Sequence, residues 1–361
     1  MFARHVATLT LAATVFLSCA VAPTKASNSQ STVWLPIVMR PADPVAYWGV
    51  LINGVPFDIS KLEVLENSLN KKVSIVHWGQ PWVINAVYQP FQTAEFNKVR
   101  SHGSIPMVNW ASWHLGHGIN QPDYQLRDIY EGKHDNYIRQ WASDAKAWGY
   151  PLFLRFNHEM NGWWFPWSEQ VNGNQPGDFV KAWRHVHDIF AQAGATNVTW
   201  VWCPNLTGYY RSTPLEGLYP GDTYVDWIGM DGYNFGTDRN NSWQTFYDVF
   251  KHTYDELTTL APIKPLMIGE VASSEDGGPL GRPASKAAWV SDAFTTQLPT
   301  HFPKIKAVVW FNWNDDDPAL DWPIESSQAS INAFTASIAS SYYATNNYAN
   351  ITTSPIPPLR R

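Results

Sequence analysis

The hydrophobic pattern alternates between two periods along most of the chain. Short apolar runs recur at regular intervals, and each is followed by a segment whose apolar residues repeat at helical spacing. The apolar runs predict buried strands at 45–51, 73–77, 105–110, 151–156, 198–203, 225–230, 263–268 and 307–311. The segments between them predict helices at 59–69, 93–101, 134–148, 178–193, 242–260, 285–297 and 326–339. The stretch 204–223, rich in Gly, Pro and Tyr, is predicted to hold no full helix.

Eight strands that alternate with about seven helices predict an α/β fold of the (β/α)8 barrel type, the TIM barrel. Two doubly wound domains are the alternative, but the chain has neither a Gly-rich phosphate loop nor an obvious linker that divides it. We therefore expect one catalytic domain at 44–342, preceded by a linker at 27–43. The Asn- and Pro-bearing segment 343–361 is predicted to be a flexible tail.

The first 26 residues have the layout of a bacterial secretory signal peptide. Arg4 and His5 precede an apolar run at 6–21, and small and polar residues follow. The apolar run is too short for a membrane span, so we expect a secreted, extracellular protein. Lipid anchoring through Cys19 is the less favoured alternative. Cleavage beyond Cys19 would leave Cys203 alone, without a disulfide partner.

Composition narrows the class of partner. Charged residues make up 16% of the chain and the net charge is −6, so no basic surface is expected for nucleic acid or anionic lipid. The 20 Trp, 16 Tyr and 17 Phe residues are more than a core of this size requires. Pyranose rings stack their C–H faces on aromatic rings, so we expect a polysaccharide or oligosaccharide partner. For any single Trp, a place in the core is an equally good interpretation. We expect a monomer.

In a (β/α)8 barrel the chemistry lies on the loops that follow the carboxyl ends of the strands. Polar and aromatic residues directly after a predicted strand are therefore the candidates for a site. They are His77, Trp78, Trp110, Trp113, His114, Asn157, His158, Glu159, Asn161, Asn205, Asp231, Tyr233, Glu270, Glu275 and the residues 312–316.

Two of these candidates, Glu159 and Glu270, follow strands that face each other across the barrel mouth. Two carboxyl groups on either side of a glycosidic bond are what its hydrolysis requires: one donates a proton and the other, ionised, attacks the anomeric carbon. Burial beside aromatic residues such as Trp164 would raise the pKa of Glu159, while Tyr233 and Arg155 are candidates to keep Glu270 charged. The alternative is that either Glu simply forms an ion pair with Arg155.

Metal chemistry receives little support from the sequence, and we expect no metal and no cofactor. The acidic run at 315–317 lacks the Gly and the distal Glu of a calcium loop. His158 and Glu159 lack the second His, four residues on, that a zinc protease requires. Cys203 ends a buried strand and is interpreted as a core residue.

Four segments resemble glycoside hydrolase family 26, which belongs to a clan of retaining (β/α)8 glycosidases. The most specific is RFNHEMNG at 155–162 followed by Trp164 and Phe165, which is similar to the acid/base segment of that family. The others are VWCPN at 201–205, DWIGMDGY at 226–233 and MIGE at 267–270. The resemblance covers roughly 45–334.

The resemblance implies that Glu159 is the general acid/base and Glu270 the nucleophile. It also implies that Tyr233 bonds the nucleophile, and that His158 and Arg155 orient the pair. The residues expected to bind substrate are Arg155, His158, Asn161, Trp164, Tyr233, Trp313, Trp110 and His114.

Two of these expected roles concern particular parts of the site. Trp164 is expected to form a wall of the subsite for the attacked sugar, with Trp313 as a stacking partner. The histidine usual on the third strand of the family is missing from 108–111, and His114 is the candidate to replace it.

The substrate is left more open. Most of the family cleaves β-1,4-mannan and follows the motif with a Phe-Trp-Trp run, whereas this chain has WWFPW at 163–167. That run is more similar to the branch that includes mixed-linkage β-glucanase, the lichenases. The first hypothesis is therefore a β-1,3-1,4-glucanase and the alternative is an endo-β-1,4-mannanase. A non-catalytic carbohydrate-binding barrel is a third hypothesis, disfavoured because both carboxylates are present.

Overall fold

The computed structural model describes residues 43–359 except 209–211, 238–241, 276–284 and 318–319. Eight parallel strands close into a barrel, because the first pairs with both the second and the last. They are β1 (Tyr47–Ile52), β2 (Ile75–Ile84), β3 (Ile105–His114), β4 (Leu152–Phe156), β5 (Val198–Trp202), β6 (Trp227–Asn234), β7 (Leu266–Ser273) and β8 (Ile305–Asn312). All eight predicted strands are present, and the barrel prediction is confirmed.

Helices connect the strands on the outside of the barrel. The α-helices in the described part are Ser60–Leu69, Thr93–His102, Leu126–Tyr130, Asp135–Trp148, Asp178–Ala193, Leu215–Leu218, Phe246–Leu260, Lys286–Asp292, Leu298–His301 and Gln328–Ile338. Single 3₁₀ turns occupy Pro122–Tyr124, Asp222–Tyr224 and Ile324–Ser326, and a two-residue strand, Val87–Tyr88, pairs antiparallel with the end of β2.

The predicted helices are recovered, with one interrupted. The segment predicted at 285–297 is α-helical only over Lys286–Asp292 and continues as a π-helical turn, Ala293–Gln297. Pro299 has no N–H to continue the hydrogen-bond ladder, and the π turn lies directly before it. Between β5 and β6, the described residues contain one four-residue α-helix, Leu215–Leu218, as expected from their composition.

Aromatic residues fill the layer between the barrel and its helices. Ten tryptophans, half of the 20 in the chain, are less than 2% exposed. Trp110 shows the pattern: its ring lies 4.9 Å from that of Trp141 and 5.7 Å from that of Phe190, both on helices. Much of the aromatic surplus therefore serves the core rather than a sugar site.

The segment 343–359 is packed, so the prediction of a flexible tail is wrong for these residues. Ile356 is 1% exposed, and its carbonyl accepts a hydrogen bond of 2.8 Å from Trp227 Nε1. Its N–H donates to Thr199 Oγ1, and Tyr47 donates its hydroxyl to the carbonyl of Pro357. Tyr47, Thr199 and Trp227 all lie at the starts of their strands, so the tail covers the amino-terminal end of the barrel. Ala344 is buried in the same cluster, and Tyr348, Ile351 and Leu359 pack against it. These apolar residues are spread among polar ones, so the composition of the tail does not predict its packing.

The predicted signal peptide at 1–26 lies outside the described residues, as does the linker at 27–43 apart from Asp43. Within the described part, no helix is both long enough and apolar enough to cross a membrane.

Replacing Ile356 with Ala should destabilise the barrel from its amino-terminal end. The change deletes buried methyl and methylene groups and leaves a cavity, which typically costs about 2–5 kcal/mol of unfolding free energy. Thermal unfolding should show a lower melting temperature for this variant. Thr353→Ala, at an exposed position of the same tail, is the matched control. A melting temperature that is equal in the two variants would contradict the anchoring role.

Candidate active site

A cleft of about 930 Å³ opens at the carboxyl ends of the strands, where the barrel fold places chemistry. Both Glu159 and Glu270 line it. Its walls are rich in aromatic side chains: Phe57, Trp78, Trp113, Trp163, Trp164, Phe165, Trp167, Tyr233, Phe235, Phe311, Trp313 and Trp322. The volume lies at the upper end of the range of about 300–1,000 Å³ that is typical of ligand pockets.

Glu159 lies just after β4 in a left-handed backbone conformation, with φ = 54°. Its N–H donates to the carbonyl of Cys203 at 2.7 Å, which fixes the turn against β5. Its carboxyl accepts two hydrogen bonds of 2.7 Å, from Asn205 Nδ2 at Oε1 and from Trp164 Nε1 at Oε2. The acid/base candidate is therefore held from two sides.

Asn161 acts on Glu159 through Asn205. Its side-chain amide accepts a hydrogen bond from the N–H of Asn205 and donates one to the carbonyl of the same residue, both at 2.9 Å. Asn161 is fully buried and does not line the cleft. The predicted substrate contact of Asn161 is therefore corrected to a positioning role.

Glu270 lies on β7, 4% exposed, and receives three hydrogen bonds. Arg155 Nη1 donates to Oε1 at 2.9 Å, and Asn109 Nδ2 donates to the same oxygen at 3.0 Å. The Tyr233 hydroxyl donates to Oε2 at 2.6 Å. The bond expected between Tyr233 and the nucleophile candidate is thus present in the structure.

Arg155 lies beneath the carboxylates rather than in the cleft. It is fully buried, it forms a second ion pair with Asp231, and Nη2 also contacts the sulfur of Cys203 at 3.1 Å. The orienting role predicted for Arg155 fits this geometry, but a direct contact with substrate does not.

The two glutamates have opposite pKa shifts although their carboxyl groups are close. Oxygens of Glu159, Asp231 and Glu270 all lie within 4.8 Å of one another. Burial, together with the negative charge of Glu270, raises the pKa of Glu159 to about 7. Burial also acts to raise the pKa of Glu270, but Arg155 leads a set of groups that lowers it to about 2. At neutral pH one carboxyl can therefore hold a proton while the other is ionised.

Two histidines lie beside this pair, His77 fully buried and His158 partly exposed in the cleft. Burial, followed by the charge of Arg155, lowers the pKa of both His77 and His158 to about 3. His77 Nε2 lies 3.3 Å from Arg155 Nη1 and accepts its hydrogen bond. His158 packs its ring against Phe165 and Trp167 and lines the cleft.

Of the remaining predicted substrate-binding residues, the structure places Trp164 and Trp313 in the cleft and two others outside it. Trp313 is half-buried and stacks on Phe311, with ring centroids 6.0 Å apart. Trp110 is buried behind the barrel wall, so its prediction is wrong. Position after a strand did not reveal which way its side chain points.

His114 is also misassigned. Strand β3 runs to residue 114, where it pairs with Val83, and His114 does not line the cleft, although Trp113 and Leu115 do. There its Nε2 accepts a hydrogen bond from the N–H of Ala86 and its ring stacks on His117. Asn109, one of the residues where the family histidine was sought, makes the contact with Glu270 instead.

Several residues that shape the site have no role predicted from the sequence. For His77, Asn205 and Asp231, the position after a strand is the only signal. Asn109 is a polar residue inside an apolar run, which is a usable signal. Trp322 comes from a loop and carries no signal in the sequence.

The three clustered carboxylates raise the question of a metal. A guanidinium already lies among them, since Arg155 pairs with both Asp231 and Glu270. This cation supplies the positive charge that two buried carboxylates need. The donor set is therefore accounted for without an ion.

The model of glycosyl hydrolase family 26 matches residues 84–274, more than half of the chain. The chain belongs to this family. The match contains β3 to β7 and therefore both glutamates and their hydrogen-bond partners.

Two relatives of known name are similar in sequence to this chain. Endoglucanase H from Acetivibrio thermocellus is 36% identical over 286 residues, which cover 77% of this chain and 29% of that protein. A mannan endo-1,4-beta-mannosidase from Bacillus subtilis is 25% identical over 234 residues, which cover 60% of this chain and 57% of that protein. The matched part thus spans less than two thirds of either relative.

The solved structures agree on the fold. A Bacillus subtilis mannanase superimposes with a TM-score of 0.60 at 16% identity, covering 88% of this chain and 92% of that one. A β-mannanase from a symbiotic protist of the termite Reticulitermes speratus gives a TM-score of 0.55 at 14% identity, covering 84% and 90%. At such identities the likeness concerns the barrel alone.

Replacing Trp164 with Phe should move the basic limb of the kcat/KM profile to higher pH. The bond from Trp164 Nε1 stabilises ionised Glu159 and so lowers its pKa. Without that bond the proton is held more tightly, and activity that is normally lost as pH rises through about 7 should persist about one pH unit higher.

The matched control for this change is Trp163→Phe. Trp163 is the neighbouring Trp and is 51% exposed. Its replacement should not change the pH of the basic limb. The measurement is kcat/KM across pH for both variants and the parent chain. A basic limb at the same pH in all three would contradict the role of the Trp164 bond.

Proposed function

We propose that this chain is a retaining endo-β-glycanase that works by double displacement through Glu159 and Glu270. The observation that carries the proposal is a pair of carboxyl groups within 4.8 Å, at the floor of an aromatic cleft, with opposite pKa shifts. Retaining glycosidases hold their two carboxyl groups roughly 5–5.5 Å apart, whereas inverting enzymes leave room for a water molecule between them. Because both carboxylates are in place, a non-catalytic carbohydrate-binding barrel is disfavoured.

In the first step Glu159 donates its proton to the leaving glycosidic oxygen while Glu270 attacks the anomeric carbon and forms a glycosyl ester. Formation of the ester removes the negative charge of Glu270. That charge is one cause of the raised pKa of Glu159, so the pKa of Glu159 falls at this point.

In the second step Glu159, now ionised, takes a proton from water, which attacks the anomeric carbon and releases Glu270. Two inversions at the same carbon give net retention of configuration. Asn205 donates to Oε1 of Glu159 and Trp164 donates to Oε2. Together they stabilise the ionised carboxylate, which is the form that acts as a base.

For the substrate we propose a β-1,4-linked polysaccharide, with mixed-linkage β-1,3-1,4-glucan first. Two observations support glucan: the relative named Endoglucanase H is 36% identical, and the run WWFPW at 163–167 departs from the common family pattern. β-1,4-Mannan is the second candidate, supported by the 25% identical mannosidase. The two sugars differ in the orientation of one hydroxyl, at C2, so a few contacts decide between them.

The proposal includes secretion, because residues 1–26 have the layout of a signal peptide. A secreted enzyme would reach a polysaccharide outside the cell. We also expect the chain to act as a monomer.

Replacing Glu270 with Ala should abolish turnover while oligosaccharide binding persists. The variant lacks the nucleophile but keeps the aromatic walls of the cleft, so kcat should fall by roughly 10⁴-fold or more. Reducing-sugar release measures kcat, and calorimetric titration with an oligosaccharide measures binding. Glu63→Ala, an exposed glutamate on the first helix, is the control. Near-normal activity of the Glu270 variant, or inverted configuration of the first product by NMR, would refute the mechanism.

A parallel assay on mixed-linkage glucan, mannan, β-1,3-xylan and carboxymethylcellulose should give the highest kcat/KM on mixed-linkage glucan. Oligosaccharides of intermediate length should appear first, because an open cleft of about 930 Å³ admits an internal stretch of the polymer. A higher rate on mannan would select the second candidate. Release of monosaccharide from the outset would contradict endo cleavage.

A further inference from the structure

The hydroxyl of Tyr233 reaches Glu270 from a ring that is covered on one face by Trp322. The two rings are stacked, with centroids 4.6 Å apart and an interplanar angle of 8°. Phe235 and Phe311 pack around the same tyrosine at 5.8 and 5.9 Å. Trp322 is 4% exposed and comes from the segment after β8, whereas Tyr233 belongs to β6. The angle of the tyrosine ring thus depends on a distant loop.

Side-chain donors hold that loop by bonding three successive backbone carbonyls, those of residues 321 to 323. Lys286 Nζ donates to the carbonyls of Asp321 and Pro323, the second at 3.0 Å. Trp310 Nε1 donates to the carbonyl of Trp322 itself, also at 3.0 Å. Every peptide carbonyl from 321 to 323 therefore has a side-chain donor.

Lys286 is an unusual residue for such a place because its side chain is fully buried. Burying an ammonium group is costly unless an anion and hydrogen-bond acceptors surround it. Glu275 lies 3.4 Å from the ammonium group and accepts hydrogen bonds from Ser326 and Ser327 as well. The cluster joins the segment that follows β7, the strand that carries Glu270, to the segment that follows β8.

We propose that Trp322 is a positioning residue for the nucleophile: it holds the Tyr233 ring at the angle from which its hydroxyl bonds Glu270, and Lys286 holds Trp322. This inference rests on the proposed function. A smaller side chain at 322 leaves space beside the tyrosine ring, the ring tilts, and Glu270 loses one of its three donors.

The test is a double-mutant cycle with Tyr233→Phe. Trp322→Leu should lower kcat roughly tenfold in the parent chain, as loss of one hydrogen bond to a charged group implies. Trp322→Phe keeps a ring for stacking and should restore most of the activity. In the Tyr233→Phe background, where the hydroxyl is already missing, Trp322→Leu should change kcat by less than about twofold.

A second readout is the acidic limb of the pH profile. The Tyr233 bond is among the groups that lower the pKa of Glu270, so its loss raises that pKa. Activity should then disappear at a higher pH than in the parent chain as the solution is acidified. Lys286→Met should shift kcat and the acidic limb in the same directions by a smaller amount, which provides a second variant if Trp322→Leu folds poorly.

Trp183→Leu is the control for stability. Trp183 is also buried and also donates Nε1 to a backbone carbonyl, that of Tyr224, but it stands on an outer helix. The Trp183→Leu variant should have a lower melting temperature, with kcat and the pH of the acidic limb unchanged.

Two results would overturn the inference. One is an equal loss of kcat on Trp322→Leu with and without the tyrosine hydroxyl, which would mean that Trp322 acts on the substrate directly. The other is an unchanged kcat in Trp322→Leu and Lys286→Met. Inactivity of the parent chain on every glycan would instead overturn the proposed function, and this inference with it.

Discussion

The buried cation of Arg155 is the interaction on which the site depends. A guanidinium without access to water requires anions and acceptors around it, and the carboxyl groups of Asp231 and Glu270 both bond Arg155. The same contact keeps Glu270 ionised, with a pKa of about 2, at a place where burial alone would protonate it. One cation can offset only part of the charge of three close carboxylates. Burial raises the pKa of both Asp231 and Glu159. Of these two, only Glu159 lines the cleft, so it is the candidate to deliver a proton there, while Glu270 is the candidate nucleophile.

Room for this cation inside the barrel comes from two glycines. A Cβ atom at Gly269 would lie 2.7 Å from Asp231 Oδ1 and 3.0 Å from Arg155 Cζ, and one at Gly229 would lie 2.3 Å from the sulfur of Cys203. Gly269 is thus required by close approach to the ion pair itself, and the residue directly after it is the nucleophile candidate. Gly229 makes room for Cys203, whose sulfur contacts both Arg155 and Asp231.

The sequence predicted the parts of the molecule that repeat. Strand and helix positions followed from periodicity, and Glu159, Glu270 and Tyr233 followed from their places after strands and from the family resemblance. It failed where a side chain's direction matters: Trp110, inside β3, and Trp164, on the loop after β4, are the same residue type, yet one faces a helix and the other the cleft. It also failed where contacts are distant in the chain. Ile356 against Trp227 and Trp322 against Tyr233 are pairs that no local pattern contains.

The aromatic surplus can now be divided by function. Half of the tryptophans are buried in the core, as the equally weighted core interpretation allows, and one of them, Trp167, also lines the cleft. A second group, including Trp163 and Trp313, presents its rings to the cleft. Trp164 and Trp322 form a third group that lines the cleft but also contacts the catalytic apparatus, one by bonding Glu159 and the other by stacking on Tyr233. Under the proposed function, the surface that would bind sugar also bears on the protonation of the two carboxyl groups. A substitution at Trp164 or Trp322 that alters substrate preference is then expected to alter the pH dependence as well.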